Sequence, residues 1–231
     1  MKKLKMKKEK QNKIKQKWKK SEIKISKDLR DIIHGYIMSD GYIRNGILTI
    51  EQSKKQERFV KWLYDKLTPI RTSSFIKKVV RVDPKTNVQS YSLRFFTRAV
   101  LNGFHYMWYE PIINTKNVQH YRKKLPQTID CFFNETFISV WYAGDGTKII
   151  GSLGAKFEIT NFTIKERLKL QKLFLTKFGI KTKIIKSGIS KKGNIQWALK
   201  VPAEEYSKFR TLITKQDLIP TIFPYKLHKK K

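Results

Sequence analysis

The chain has 231 residues, and its 51 Lys and Arg against 18 Asp and Glu give a formal net charge of +33. A folded chain tolerates such self-repulsion best when a polyanion neutralises it, so nucleic acid is the first partner to consider. A membrane partner is disfavoured, because no stretch reaches the roughly 18 consecutive apolar residues that a span requires. Cys131 is the only cysteine and the four histidines lie far apart, which excludes a disulfide framework and a zinc finger.

The first twenty residues contain eleven lysines and few apolar positions. This composition predicts a solvated basic arm over residues 1–22 that is available to bind a polyanion. A targeting segment is the alternative, although the stretch lacks the Arg and Ser richness and the apolar core of such signals. Beyond the arm we expect two halves, residues 23–125 and 126–231.

The first half is predicted to begin with a helix, because apolar residues recur at helical spacing after Ser26, a suitable N-cap. Alternating and β-branched runs then indicate strands, and a Ser-x-x-Gln pattern indicates a capping box. In chain order the predicted elements are a helix over Lys24–Gly41, a strand at Ile47–Ile50, a helix opened by a capping box at Ser53–Gln56, a hairpin of Phe75–Val82 and Tyr91–Thr97, and a helix over Arg98–Tyr109 that stops before Pro111.

The same order recurs about 105 residues later, the separation of Asp40 and Asp145. The predicted elements are a helix capped by Asn134 that ends at Asp145-Gly146, a strand at Lys156–Thr160, a helix opened by a capping box at Thr163–Glu166 and closed by Gly179, a hairpin of Lys181–Lys186 and Ile195–Val201, and a helix over Ala203–Thr214 that stops before Pro220. Duplication implies a pseudo-dimer within one chain, whereas a chance similarity of two α+β halves is the alternative.

Each half carries one carboxylate directly before a glycine at the end of an apolar helix, in the nonapeptides Ile33–Gly41 and Ile138–Gly146. A lone Asp-Gly is common at turns, but two at equivalent points of a repeated basic unit are far more specific. Both nonapeptides resemble the LAGLIDADG signature of homing endonucleases. The resemblance implies an α+β fold of two pseudo-symmetric αββαββα halves, with a saddle-shaped antiparallel DNA-binding sheet and two packed motif helices at the interface.

The resemblance also implies a metal site at the ends of the motif helices. Asp40 and Asp145 would bind the divalent cations, Mg²⁺ or Mn²⁺, beside the adjacent Gly41 and Gly146, with the backbone carbonyls of Ser39 and Gly144 as possible further ligands. The chemistry agrees, because hard cations prefer oxygen ligands and paired metals can activate water and stabilise a leaving oxygen.

The motif helices also carry small residues that would let their backbones approach, although the match to the signature is not complete. Val140 departs from the usual glycine of the signature, and Met38 and Ala143 replace its first Asp. The residues available for close packing are Gly35, Ser39, Ser139, Ala143 and Gly144.

Comparison with the family further suggests one basic and one water-positioning residue in each half. Lys123 and Lys226 are the basic candidates, 83 and 81 residues after their aspartates, with Lys124 as the alternative in the first half. Gln52 and Asn161 are the polar candidates. A plain phosphate contact for the lysines, or a turn role for the amides, remains open.

The predicted hairpins carry side chains suited to the edges of bases in the major groove, where Arg pairs with guanine and Asn or Gln with adenine. The candidate DNA-binding residues are Arg44, Asn45, Arg81, Gln89, Ser90, Arg94 and Arg98 in the first half, and Lys181, Lys183, Lys186, Asn194 and Gln196 in the second. The alternative is that these residues lie on exposed sheet faces that do not contact bases, since such faces would have the same composition. Because the halves differ, the expected target is roughly two turns of duplex and imperfectly symmetric.

The resemblance therefore implies a monomeric, site-specific homing endonuclease that makes a staggered double-strand break in DNA. The alternatives are an intron RNA maturase, for which intron RNA would be a partner, a non-catalytic DNA-binding protein on the same scaffold, and a structural RNA-binding protein. The richness in lysine and isoleucine suggests an AT-rich gene, and hence a mitochondrion or chloroplast, with a prokaryotic cytoplasm also acceptable.

Overall fold

A computed structural model of the chain describes residues 24–113 and 119–228. The predicted arm over residues 1–22 lies outside the described residues. Within them, no helix is both long and apolar enough to pass through a bilayer.

The first half follows the predicted order of elements. It consists of helix α1 (Lys27–Met38), strands β1 (Tyr42–Arg44) and β2 (Ile47–Ser53), a 3₁₀ turn (Lys54–Gln56), helix α2 (Glu57–Lys66), strands β3 (Lys77–Val82) and β4 (Gln89–Phe96), and helix α3 (Asn102–Trp108). A separate hairpin of β5 (Tyr109–Ile113) and β6 (Gln119–Lys123) then leads towards the second half.

The second half repeats this order. A 3₁₀ turn (Ile129–Cys131) precedes helix α4 (Glu135–Asp145), strands β7 (Gly146–Lys148) and β8 (Ala155–Glu158), helix α5 (Ile164–Phe178), strands β9 (Lys183–Ile189) and β10 (Ile195–Val201), a 3₁₀ turn (Ala203–Glu205), helices α6 (Tyr206–Thr214) and α7 (Leu218–Ile222), and a last 3₁₀ turn (Pro224–Lys226).

Each half contains one four-stranded antiparallel sheet, and the two sheets have the same topology. The strand orders are β1-β2-β4-β3 and β7-β8-β10-β9. The predicted α+β fold with αββαββα halves is therefore confirmed, and the antiparallel surface is divided into two separate sheets, one per half.

Local side-chain caps explain where the main helices begin. The Ser26 hydroxyl accepts a hydrogen bond from the Leu29 N–H, and the Asn134 side chain accepts one from the Phe137 N–H. Thr163 and Glu166 form the predicted capping box of α5, which ends at Gly179 in the left-handed conformation with φ 64°. These caps satisfy backbone groups that a helix end otherwise leaves unpaired.

Three sequence predictions were wrong in detail. The Ser53 hydroxyl caps only a 3₁₀ turn through the Lys55 N–H, so Ser53–Gln56 is not a capping box and α2 starts at Glu57. Helix α1 ends at Met38, before Asp40-Gly41. The helix predicted over Arg98–Tyr109 is only seven residues long, and the backbone becomes extended at Tyr109.

The β5–β6 hairpin and its exit tie the first half to the second. Arg122 on β6 forms ion pairs with Glu110 on β5 and with Glu166 at the start of α5. The other Glu166 carboxylate oxygen accepts a hydrogen bond from the Leu125 N–H at 2.7 Å. One carboxylate of the second half therefore fixes both the hairpin and the segment that joins the halves.

Candidate active site

The motif helices α1 and α4 pack so closely that glycine is required on both sides. A Cβ on Gly35 would lie 2.7 Å from the Phe137 carbonyl oxygen and 2.8 Å from the Val140 Cβ. A Cβ on Gly144 would lie 2.6 Å from the Ser39 Cβ and 2.9 Å from a carboxylate oxygen of Asp40. The close approach brings the C-terminal ends of both helices together, and with them Asp40 and Asp145.

Gln52, one of the two residues predicted to position water, lies beside the first aspartate. Its side-chain amide donates a hydrogen bond to the Asp40 Oδ2 at 2.8 Å and a longer one, 3.4 Å, to the Tyr36 hydroxyl. Tyr36 is fully buried and also accepts a hydrogen bond from the Glu51 N–H. Strand β2 therefore fixes the orientation of the Asp40 carboxylate through Gln52.

Asn161 does not repeat this arrangement in the second half. Ile43 pairs with Leu48 and Lys148 pairs with Ala155, so aligning Asp40 with Asp145 makes Leu48 equivalent to Ala155 and Gln52 equivalent to Ile159. Ile159 is buried, whereas Asn161 is exposed in the turn before α5. The polar neighbour of Asp145 from this strand is Glu158, whose charge acts on the Asp145 carboxyl.

Lys123 and Lys226 occupy matching positions at the ends of the two motif helices. The Lys123 ammonium donates to the carbonyls of Ile37 and Ser39, at 2.5 and 2.8 Å. The Lys226 ammonium donates to the carbonyls of Tyr142, Ala143 and Gly144, at 3.0, 2.7 and 3.2 Å. A cation at the C-terminal end of a helix neutralises its unpaired carbonyls and its dipole.

These contacts bear on the carbonyl groups that were predicted as metal ligands. The carbonyls of Ser39 and Gly144 each already accept a lysine hydrogen bond, and each keeps a second lone pair. Of Lys123 and Lys124, which the sequence left as alternatives, the structure brings Lys123 to the motif helix.

The acidic and basic groups of the site shift one another's ionisation. Burial and, after it, the charge of Asp40 raise the pKa of Asp145 to about 7, although Lys123 and Lys226 act in the opposite direction. Burial also lowers the pKa of Lys226 to about 8 and lowers the pKa of Lys123, against the attraction of both aspartates. The Asp145 carboxyl is thus poorly solvated beside the exposed Asp40, and an added cation would relieve the repulsion between the two carboxylates.

The donor set fits a hard divalent cation. Carboxylate oxygens from Asp40 and Asp145 converge at the helix ends, and such oxygens are the ligands that Mg²⁺ and Mn²⁺ prefer. Within residues 24–113 and 119–228, His, Cys, Asp and Glu form no cluster of three or more that could hold an ion alone. Water, backbone carbonyls or a phosphate would therefore complete the coordination, as is usual for Mg²⁺.

The raised pKa predicts how the stability of the metal-free chain depends on pH. Between about pH 4 and 7 Asp145 is protonated in the folded state and ionised in the unfolded state, so the free energy of unfolding falls as pH rises. Relative to Asp145→Asn, the native chain should lose about 2–4 kcal/mol over this interval. Urea unfolding at several pH values in EDTA measures the difference, and parallel curves for the two proteins would contradict the shift.

Of the DNA-binding candidates in the first half, four share the solvent-facing side of the sheet, among them Ser90, which pairs with Arg81. In the strand register Arg94 lies opposite Glu51 of β2 and opposite Lys77 of β3. Strand alternation puts Arg81 and Arg44 on the same face of the sheet as Arg94. Asn45, with φ 51°, forms the tight turn between β1 and β2.

Two other candidates in the first half lie elsewhere. Gln89 pairs with Val82 on the opposite side of the sheet, where it accepts a hydrogen bond from the Tyr91 hydroxyl. Arg98 lies beyond the sheet, and its guanidinium donates to the Pro69 carbonyl.

In the second half a row of lysines crosses the corresponding face. Lys156, Lys200 and Lys183 pair side by side across β8, β10 and β9, and Gln196 shares their side. Only Lys183 and Gln196 of these were singled out from the sequence. Lys181 is exposed just before β9, and Asn194 lies in the hairpin turn.

Lys186 does not belong to this row. It pairs with Trp197, which faces helix α5 and lies against Arg167. Lys186 therefore points to the side of the sheet that carries the helices, away from Lys183 and Gln196.

A known family profile covers most of the chain. The profile of the LAGLIDADG DNA endonuclease family matches residues 30–209, which include both aspartates and both sheets. The chain belongs to this family. No curated protein sequence matches the chain significantly.

The chain is also similar in fold to the solved structure of a homing endonuclease, and more weakly to two others. The homing endonuclease I-WcaI, bound to its DNA recognition sequence, matches with a TM-score of 0.70 and 17% identity, covering 90% of this chain and 88% of that chain. Full-length DUF199/WhiA from Thermatoga maritima matches with a TM-score of 0.47 and 14% identity, over 89% of this chain and 63% of that one. The N-terminal LAGLIDADG domain of DUF199/WhiA matches with a TM-score of 0.45 and 11% identity, over 84% and 86%.

Proposed function

We propose that this protein is a site-specific homing endonuclease that cuts both strands of a long, imperfectly symmetric DNA target with divalent cations held by Asp40 and Asp145. The observation that carries the proposal is the convergence of one carboxylate from each motif helix, with a lysine of the same half against each helix end. A family that contains DNA endonucleases and the similarity in fold to a DNA-bound homing endonuclease support it.

The chain's own groups bind and orient the reacting parts. Asp40 and Asp145 provide the anionic oxygens, and Gln52 holds Asp40 in one orientation through a 2.8 Å hydrogen bond. Bound Mg²⁺ or Mn²⁺ would supply the electrostatic stabilisation of the phosphorane charge and lower the pKa of the attacking water. The pseudo-symmetric arrangement of the two carboxylates suits one hydrolytic event on each strand, and hence a staggered break.

Lys123 and Lys226 have a supporting role in this proposal. Each ammonium neutralises carbonyls that would otherwise present partial negative charge to an approaching phosphate. By fixing those carbonyls, each lysine also fixes the backbone from which its aspartate projects. Their positive charge near the scissile phosphates would stabilise the charge that develops during hydrolysis.

The sheet faces provide the complementary surface for the duplex. The solvent-facing sides of the two sheets carry arginines in the first half and a row of lysines in the second. Because both halves of the pseudo-dimer belong to one chain, a monomer supplies the whole surface. The different side chains of the two sheets are expected to read different half-sites.

The proposal is tested by cleavage of a plasmid that carries the uninterrupted insertion site of the gene's own intron. Linear product that requires Mg²⁺ or Mn²⁺, is lost in EDTA and is absent with a plasmid carrying the intron-interrupted site is the expected result. Tight binding to this site with no cleavage in any divalent cation would overturn the nuclease assignment. It would favour the non-catalytic protein, and tight binding to the intron transcript instead would favour the maturase.

A further inference from the structure

A single carboxylate, that of Glu51, is engaged by two arginines on the solvent-facing side of the first sheet. The Arg94 Nε donates a hydrogen bond to Oε2 at 2.6 Å, and the Arg94 Nη2 forms an ion pair with the same oxygen at 2.6 Å. Arg81 forms an ion pair with Oε1, to which the Ser92 hydroxyl also donates at 2.6 Å. The four residues come from strands β2, β4 and β3, so a continuous sheet holds them in register.

An acidic residue at this place is unexpected if the surface serves only to attract phosphate. In a chain of net charge +33, a carboxylate here weakens the attraction to the DNA backbone. Glu51 is 21% exposed, and both of its oxygens already accept hydrogen bonds from the sheet. Partial burial opposes its ionisation, but hydrogen bonds from Ser92, Arg81 and Arg94 keep the pKa of Glu51 below its usual value.

The geometry leaves suitable donors free on the arginines. Arg94 turns its Nε–Nη2 edge to Glu51, so its terminal edge remains available to a ligand. A guanidinium with a fixed plane can pair with O6 and N7 of guanine through two parallel hydrogen bonds. Arg81 is also held, because its Nη1 donates to the Ser92 hydroxyl at 3.1 Å. An arginine without such support would lose more rotamer freedom on binding.

The second half does not contain this group among its described residues. The position equivalent to Glu51 is Glu158, three residues after Ala155, but its partner on β10 is Ala198 in place of an arginine. Glu158 instead accepts hydrogen bonds from Thr160. The support for arginine readout therefore exists on one sheet and not on the other.

We propose that Glu51 is a specificity-determining residue that holds Arg94 and Arg81 for recognition of guanine in the half-site read by the first sheet. This inference rests on the proposed DNA-binding function but not on cleavage. Loss of the carboxylate frees both arginines to contact phosphates of any sequence. Glu51→Gln should therefore raise affinity for random DNA and lower the preference for the target.

The test is selection from a randomised duplex library in EDTA, followed by binding assays with the selected and scrambled duplexes. The native chain should select guanine at one or two positions on one side of the site. Glu51→Gln should lose that selection, and its ratio of specific to random affinity should fall about tenfold. Arg94→Lys, which keeps the charge but not the bidentate fork, should lose guanine at the same place.

The control is Glu57→Gln, which removes the same charge from the exposed side of α2, where Glu57 forms an ion pair with Lys61. It should leave the selected sequence unchanged. Retention of the guanine preference by Glu51→Gln and Arg94→Lys would overturn the inference, as would a native chain that selects no sequence. If the native chain selects guanine and both variants lose that preference, but no plasmid is cleaved, the nuclease proposal would be wrong and the inference about Glu51 would hold.

Discussion

Replacing Asp40 or Asp145 with asparagine is expected to reduce double-strand cleavage at least about 100-fold while target affinity changes only a few-fold. Each substitution removes an anionic oxygen from the shared site but keeps the size of the side chain. The measurement is the rate of plasmid linearisation in Mg²⁺, with binding followed in EDTA. Because burial and the neighbouring charge raise the pKa of Asp145, its replacement should not destabilise the metal-free fold at neutral pH.

A matched control separates this effect from a general loss of charge. Asp130→Asn removes an exposed carboxylate whose only ion pair among the described residues is with Lys169, at 3.8 Å. It should cleave at the native rate. If either active-site variant kept native cleavage of both strands, the two-carboxylate mechanism would be wrong.

The second large effect concerns the packing of the motif helices. Gly35→Ala should lower the free energy of unfolding by about 1–3 kcal/mol, because the added methyl meets a backbone carbonyl and the Val140 side chain. The helices would have to move apart, which also separates the two carboxylates. Cleavage should therefore fall along with stability, as measured by urea unfolding and plasmid linearisation under matched conditions.

Gly103→Ala provides the comparison, since Gly103 is also helical but a Cβ there would meet nothing within 4 Å. Alanine should be neutral or stabilising by about 0.5–1 kcal/mol at such a position, because it restricts the unfolded chain. Opposite signs for the two glycines are expected. Equal effects would mean that the helix contact is not as tight as the structure indicates.

The sequence predicted much of this fold because the two halves repeat the same local signals. Asn134 and the Thr163–Glu166 capping box give helix starts that depend only on neighbours in sequence, and both are found in the structure. The Ser53–Gln56 pattern failed because tertiary contacts compete with it: the Gln56 side chain donates to the Tyr225 hydroxyl from the last turn of the chain.

The β5–β6 hairpin escaped prediction for a related reason. Pro111 suggested a helix stop, but it lies in strand β5 opposite Tyr121, in a two-stranded sheet where a missing backbone donor costs little. Prediction of the site was likewise limited to what neighbouring residues in the sequence determine. Asp40 and Asp145 stand in recognisable motifs, whereas the match of Gln52 with Ile159 rather than Asn161 depends on the length of the loop between β7 and β8.

Glu51 could have been found from the alternation of polar and apolar residues along Ile47–Ser53, which puts it on the side away from the core. Its two arginine partners could not, because the register between strands is set by the hairpin geometry. The closeness of Gly35 to Val140 is equally a property of the assembled helices. A valine in the signature is accommodated because the partner helix has a glycine opposite it.

The contacts of Lys123 and Lys226 with the motif helices determine where halves of such proteins could be exchanged. Each lysine lies more than eighty residues after the motif-helix residues that it contacts, and both partners belong to the same half. The contact that caps each motif helix is therefore contained within one half. In a chimera that exchanges halves with a relative, a joint after Leu125 would transfer every helix together with the lysine that caps it. A joint inside the β5–β6 hairpin would leave a helix end with a foreign cap, and engineered recombinants should tolerate the first joint better than the second.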